Sequence, residues 1–246
     1  MDGRPSVWVG HAGALPVTDL DRSAAHWAAL GMREVERNDR VVVLELRGGT
    51  HLVLYPGEPA VDRDTPFDLM VEDLDAAHRE WAAQGLDPSP IERADPRVVH
   101  AARPRRVRRD GHRLARRGRG VSADDRPALW VGHVVLATHD VRRSFDFYRS
   151  LGLRATGEPE PDDGIAELEM RGGTHLVLVL DPGATTEGRG APFDLMADDL
   201  DALHAEMSTR GLDPSPIARG GHDDFTFVDP DGYRVTVNSS HVTGPV

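Results

Sequence analysis

The sequence predicts an α+β fold: four strand–helix–hairpin modules arranged as two tandem units. Three observations carry that expectation. The octapeptide RGGTHLVL occurs twice without change, at Arg47–Leu54 and Arg171–Leu178. Around it VGH (Val9–His11, Val131–His133), PFDLM (Pro66–Met70, Pro192–Met196) and GLDPSPI (Gly85–Ile91, Gly211–Ile217) recur in the same order, 122 to 126 positions apart. A fixed period of this size marks a tandem duplication. Within each copy, the apolar pattern passes twice from strand period to helix period and back.

Residues 6–18 read as a strand, bulged because copy one has an extra residue relative to the VVLATH of copy two. Asp19 or Thr18 caps a helix running to about Leu30, with Leu20, Ala24, Trp27 and Leu30 as its apolar stripe and Gly31 ending it. VVVLEL (41–46) and HLVLY (51–55), joined across Gly-Gly, make a hairpin. The next half begins with the strand PFDLMVED (66–73), and Asp73 caps a helix carrying Leu74, Ala77 and Trp81 before Gly85. The DPSPI run is expected to start the following strand. Copy two repeats these elements, with helix stripes Val141, Phe145, Tyr148 and Leu200, Leu203, Met207. It closes with the alternating Phe225–Val228, a DPDG turn and Tyr233–Asn238. The units span 6–125, with a divergent Arg-rich second half (93–119), and 128–246, which reads as intact.

With 246 residues, 39% of them apolar, each half is large enough to bury a core. The absence of cysteine excludes disulfides and thiolate metal sites. The N-terminal MDGRPSVWVG lacks an apolar leader core and no window is long enough to span a membrane, so a cytoplasmic location is expected. All 29 basic residues are arginine, and eleven of them fall between Arg93 and Arg119 beside only two acids. That island is nine positive in a chain twelve negative, which leaves the rest at −21. An acidic body argues against nucleic acid as a partner. The island itself reads as a degenerate linker or a segment translated in a shifted frame, ahead of a functional basic arm.

GHVVLATHDVRRSFDFYRSLGL, FDLMADDLDAL and DPDGYRVTV resemble the vicinal oxygen chelate superfamily, which includes glyoxalase I, fosfomycin and bleomycin resistance proteins and type I extradiol dioxygenases. The likeness spans the chain except about 93–125. It implies βαβββ modules paired into cup-shaped mixed sheets with helices outside. Cups form within a unit, between units or between two chains, so a homodimer is among the arrangements expected. Family enzymes hold a divalent metal in the cup. The first ligand, a His in the GH of the opening strand, is matched by His11 and His133. The second, a Glu, falls on Val53 and Val177. The third falls on Phe67 and Phe193, and the fourth on Thr236 and Ala115. One ligand in four does not hold a catalytic ion, so the usual metal site is expected to be absent.

His51 and His175 sit two residues before the vacated Glu position, on the same strand face. His133, His175 and His222 therefore form a shifted candidate set, weighed against a polar pocket without metal. Glu45 and Glu169 face either the cup or solvent, with solvent favoured. Asp68 and Asp194 are expected to point outward, and Arg47 and Arg171 only to flank the turn. His26, His78 and His204 read as surface residues.

The leading expectation is a cup that binds a small hydrophobic or aromatic molecule without the usual metal, as in bleomycin-resistance-like sequestration, lined by His133, His175, Val177, Phe193, His222, Thr236, His11, His51 and Phe67. The alternative is a glyoxalase- or extradiol-type lyase or dioxygenase with a divalent metal (Zn, Ni, Mn or Fe) on the shifted histidines. Catalytic residues are not assigned. The repeat around His175 is expected to floor the working pocket, and that around His51 a compromised one.

Overall fold

The computed structural model describes residues 5, 7–59, 67–92, 127, 129–160, 162–220 and 222–240. The Arg-rich run 93–119, its DGHRL match (110–114), Ala115 and His241 lie outside the described residues. Two compact units divide the chain, one drawn from Met1–Glu72 and Arg126–Val246, the other from Asp73–Asp125. In the second unit the helix α2 (Leu74–Ala83) is capped by Asp73, whose side chain accepts from the N–H of Ala76. His78 Nε2 lies 2.9 Å from the Ser89 carbonyl and ties the helix to the turn beyond it.

The first unit holds the remaining elements. The first repeat contributes β1 (Val7–Val9), β2 (His11–Val17), α1 (Leu20–Ala29), β3 (Arg33–Arg37), β4 (Val42–Glu45), β5 (His51–Pro56) and β6 (Phe67–Met70). The second contributes β7 (Trp130–Thr138), α3 (Val141–Ser150), β8 (Arg154–Ala155), β9 (Ile165–Glu169), β10 (His175–Leu180), β11 (Leu195–Ala197), α4 (Leu200–Thr209), β12 (Asp224–Val228) and β13 (Arg234–Ser239). The fold is α+β with mixed sheets. Among the described residues each of its three α-helices starts at an extended aspartate: Asp19, Asp140 and Asp199 accept from the N–H groups of Arg22, Arg143 and Ala202. Each of those bonds satisfies a donor that the first helical turn otherwise leaves unpaired. Among the described residues no helix is long and apolar enough to cross a membrane.

Strand pairing runs across the repeats. One sheet has the order β2-β5-β4-β3, all from repeat one, and another β6-β7-β10-β9-β8. The third, β1-β11-β13-β12, joins a strand of repeat one to three of repeat two. β1 pairs antiparallel with β11, and β6 antiparallel with β7, so each opening strand takes its outer partner from the other copy. The expected bulge falls between His11 and Ala14, where the β2–β5 register shifts. Gly10 links β1 to β2: its N–H donates to the Asp194 carbonyl and its own carbonyl accepts from His51.

The RGGT turns stand where the copies meet. Gly48 and Gly172 both have φ of +89°, and a Cβ on Gly48 would lie 3.3 Å from the Gly172 Cα. Only glycine suits both the left-handed conformation and that approach. Each preceding arginine reaches the other copy rather than merely flanking its turn. Arg47 Nε donates to the Pro127 carbonyl and its guanidinium lies over Trp130, 5.3 Å from the ring centre. Arg171 Nε donates to the Pro5 carbonyl and lies 4.5 Å above Trp8.

One strand appears where no element was read, and one expectation changes. The strand β3 (REVER) has no apolar alternation to betray it. It is an exposed edge strand, held by ion pairs of Arg33 with Glu45 and of Arg37 with Glu34 and Asp21, and charged edges of this kind resist further pairing. Among the described residues, DPSPI is not part of a strand in either copy. In repeat two it lies beside β12, bonded by Ser215 N–H to the Thr226 carbonyl and by one bridge at Ala218. Pro214 and Pro216 lack the N–H groups a ladder would need.

Leu44, Leu52 and Leu54, with Leu168, Leu176 and Leu178, are buried on the sheet faces turned to the helices. α3 packs on β9 and β10, and its Phe145 and Tyr148 are buried. Tyr148 O–H donates to Asp229 Oδ2 at 2.7 Å, which ties the helix to the DPDG turn. Phe145→Ala should lower the unfolding free energy by about 3–5 kcal/mol, the usual cost of an aromatic core truncation. Urea denaturation measures it, and a loss under ~1 kcal/mol would contradict this core assignment.

Candidate metal centre

The faces of β7, β9 and β10 not covered by α3 carry the polar residues. Along β10 the buried Leu176 and Leu178 alternate with the half-buried His175 and Val177. β7 runs parallel to β10 with His133 opposite His175, and β9 runs antiparallel with Glu169 opposite His175 and Glu167 opposite Val177. Directly opposed residues share a face, so His133, His175, Glu167 and Glu169 all project to the open side.

Three of them converge. One ligand atom from each of His133, Glu167 and His175 lies within 4.8 Å of the others. Glu167 Oε1 is 3.0 Å from His175 Nδ1 and 3.5 Å from His133 Nε2. The three side chains are only 13 to 33% exposed. Nitrogen and oxygen ligands about 2.0–2.2 Å from one tetrahedral ion stand roughly 3.3–3.6 Å apart, near the 3.0 and 3.5 Å found here. His175 Nδ1 is buried and, although 3.0 Å from Glu167 Oε1, makes no hydrogen bond of normal geometry. An unbonded buried nitrogen is costly unless something occupies its lone pair. The residues therefore fit a divalent ion on two imidazoles and a carboxylate.

The second repeat does not supply this arrangement alone. Asp68, on β6 of repeat one, accepts from the His133 backbone N–H at 2.8 Å, and its Oδ2 lies 2.9 Å from His133 Nδ1. A Cβ at position 132 would lie 2.5 Å from Asp68 Oδ1, so Gly132 permits the approach. Bonding to Asp68, then to Glu167, raises the His133 pKa to about 9 against the opposing effect of burial. His133, followed by His175, holds the Glu167 carboxyl well below its ordinary range.

The first repeat builds the same histidine pair without the acid. His11 and His51 have ring centres 5.7 Å apart at 55°, against 5.5 Å and 55° for His133 and His175. Asp194 of repeat two accepts from the His11 N–H at 2.6 Å and lies 2.8 Å from its Nδ1. Val43, opposite Val53, stands where Glu167 stands opposite Val177. Asp68 and Asp194 thus engage histidines rather than simply pointing outward.

The other expected residues fall as follows. His222 does not join His133 and His175; its ring lies beside His11, 6.5 Å between centres. Phe67 and Phe193 are 5% and 4% exposed, buried rather than spread over an open surface. Val53, Val177 and Thr236 are half-buried. Glu45 and Glu169 share the histidine face by register but are held by Arg33 and Arg154. His204 Nε2 meets the Ser215 carbonyl at 2.9 Å, the counterpart of His78 and Ser89. The sheet β2-β5-β4-β3, which carries His51, continues through Gly10 into the four strands ending at β12. The sheet carrying His175 has β6 as its edge among the described residues. Glu167 was the residue missed. Its signal was the alternation of Glu167 and Glu169 in IAELE, set against the single acid in the matching VVVLE (41–45).

A family model described as Glyoxalase/Bleomycin resistance protein/Dioxygenase superfamily matches residues 130–237. No curated protein matches the chain by sequence. Among solved structures, a putative dioxygenase from Bacillus subtilis subsp. subtilis is similar at 13% identity and a TM-score of 0.59, over 97% of this chain and 87% of that one. A mutant glyoxalase I from Zea mays is similar at 19% identity and a TM-score of 0.55, over 95% of this chain and 94% of that one. Likeness at such identities speaks for the fold. The chain has the vicinal oxygen chelate fold, and its residues 130–237 are a domain of the Glyoxalase/Bleomycin resistance protein/Dioxygenase superfamily.

Proposed function

We propose that this chain is a metal-dependent enzyme of the lyase or dioxygenase type, acting on a small molecule at the open face of β7, β10 and β9. The observation that carries the reading is the convergence of His133, Glu167 and His175. Two histidines and one carboxylate hold divalent Fe, Mn, Zn or Ni while leaving coordination positions for substrate. When bound, such an ion supplies Lewis-acid polarisation of a substrate oxygen. The chain's own residues present the ligands: β7 and β10 bring the imidazoles side by side, and β9 brings the acid across from Val177. Glyoxalase and dioxygenase are the two enzymes named in the description of the matching family.

A second reading belongs to the other histidine pair. Beside His11 and His51 the acid is replaced by Val43, which favours metal-free binding of an apolar small molecule there, a sequestration role like that of resistance proteins. The two readings assign different chemistry to two faces of one chain.

Metal analysis of purified protein, repeated after incubation with Zn, Mn, Fe or Ni and removal of excess ion, should find about one ion per chain. Glu167→Ala should abolish it; a metal-free wild type, or a variant that keeps its ion, would sink the enzyme reading. Val43→Glu adds the missing acid to the matched pair at His11 and His51 and should raise the stoichiometry to two.

Protonation gives an independent check. The folded-state pKa of His133 is about 9, above its ordinary 6.5. Its contribution to stability is therefore fully present below about pH 6.5 and is lost as pH rises through about 9. Chelator-treated protein should lose urea resistance across that window, and His133→Ala should flatten the profile. Equal slopes for the two proteins would contradict the assigned ion pairs.

A further inference from the structure

We propose that Asp68, supplied by the first repeat, is the positioning residue for the metal ligand His133 of the second, so that both copies build one metal site. This rests on the reading of His133, Glu167 and His175 as metal ligands.

The geometry is specific in three respects. First, Asp68 grips both ends of the residue: Oδ1 accepts the His133 backbone N–H at 2.8 Å, and the two oxygens lie 3.1 and 2.9 Å from Nδ1. A carboxylate there keeps the proton on Nδ1 and turns the Nε2 lone pair toward Glu167 and His175. It also raises the basicity of the ring as a ligand. Second, the approach depends on the missing side chain of Gly132, whose Cβ would also lie 2.7 Å from Met70 Cγ. Third, the molecule contains its own control. Asp194 holds His11 in the same way, at 2.6 and 2.8 Å, on a face where Val43 takes the place of the acid. A carboxylate serving only to tie strands would act alike at both places. A carboxylate that tunes a ligand matters for metal only at His133.

The test uses cobalt(II) as the sole probe, titrated into the metal-free full chain and followed by visible absorption and calorimetry. Asp68→Asn keeps an oxygen to accept the His133 N–H but removes the charge. It should weaken cobalt binding roughly 10–100-fold and change the cobalt absorption spectrum. Asp68→Glu should recover part of the affinity. Asp194→Asn should leave affinity and spectrum as in wild type while lowering the melting temperature about as much as Asp68→Asn does. Wild-type affinity in Asp68→Asn, or equal weakening by the two Asn variants, overturns the positioning role while leaving the metal reading intact. A wild type that binds no cobalt overturns the metal reading, and this inference with it.

Discussion

Each opening strand of this protein is held by a carboxylate from the other repeat: Asp194 on Gly10–His11 and Asp68 on Gly132–His133. The rest of the architecture follows from that contact. A glycine must precede each histidine, because a Cβ there would collide with the acid. The second-half strand of one copy must lie beside the opening strand of the other, giving β1 on β11 and β6 on β7. The two RGGT turns then meet back to back, and Arg47 and Arg171 each reach a proline carbonyl and a tryptophan across the join. Strands of the two copies thus pair with one another, and the histidines that open the strands are oriented by groups distant in the chain.

Much of this was legible in the residues. Capping aspartates, apolar stripes and the Gly-Gly hairpins place helices and strands with few errors, because those signals are local and act through one or two hydrogen bonds. The strand β3 carried no such signal, and DPSPI carried a misleading one that its prolines cancel. Which strand pairs with which copy is not a local property. Two identical octapeptides have equal preference for either partner, and the choice is made by contacts between residues more than sixty positions apart.

The candidate site divides the same way. His133 and His175 are readable from the GH motif and from alternation along one strand. Their acid is not, because strand register rather than spacing brings Glu167 opposite Val177, the position the family pattern assigns to glutamate. The carboxylate has moved one strand sideways. That shift turns a vacant site into a candidate centre in one copy, while Val43 keeps its counterpart apolar. His222 is not in the cluster because the strand it precedes, β12, belongs to the sheet of β1, so its ring meets His11.

The most direct measurement is an anomalous difference map from crystals soaked in zinc. A peak is expected roughly 2.0–2.2 Å from His133 Nε2, a Glu167 oxygen and His175 Nδ1, with no matching peak between His11 and His51. A peak at the first-repeat pair alone, or none at either, would contradict this expectation.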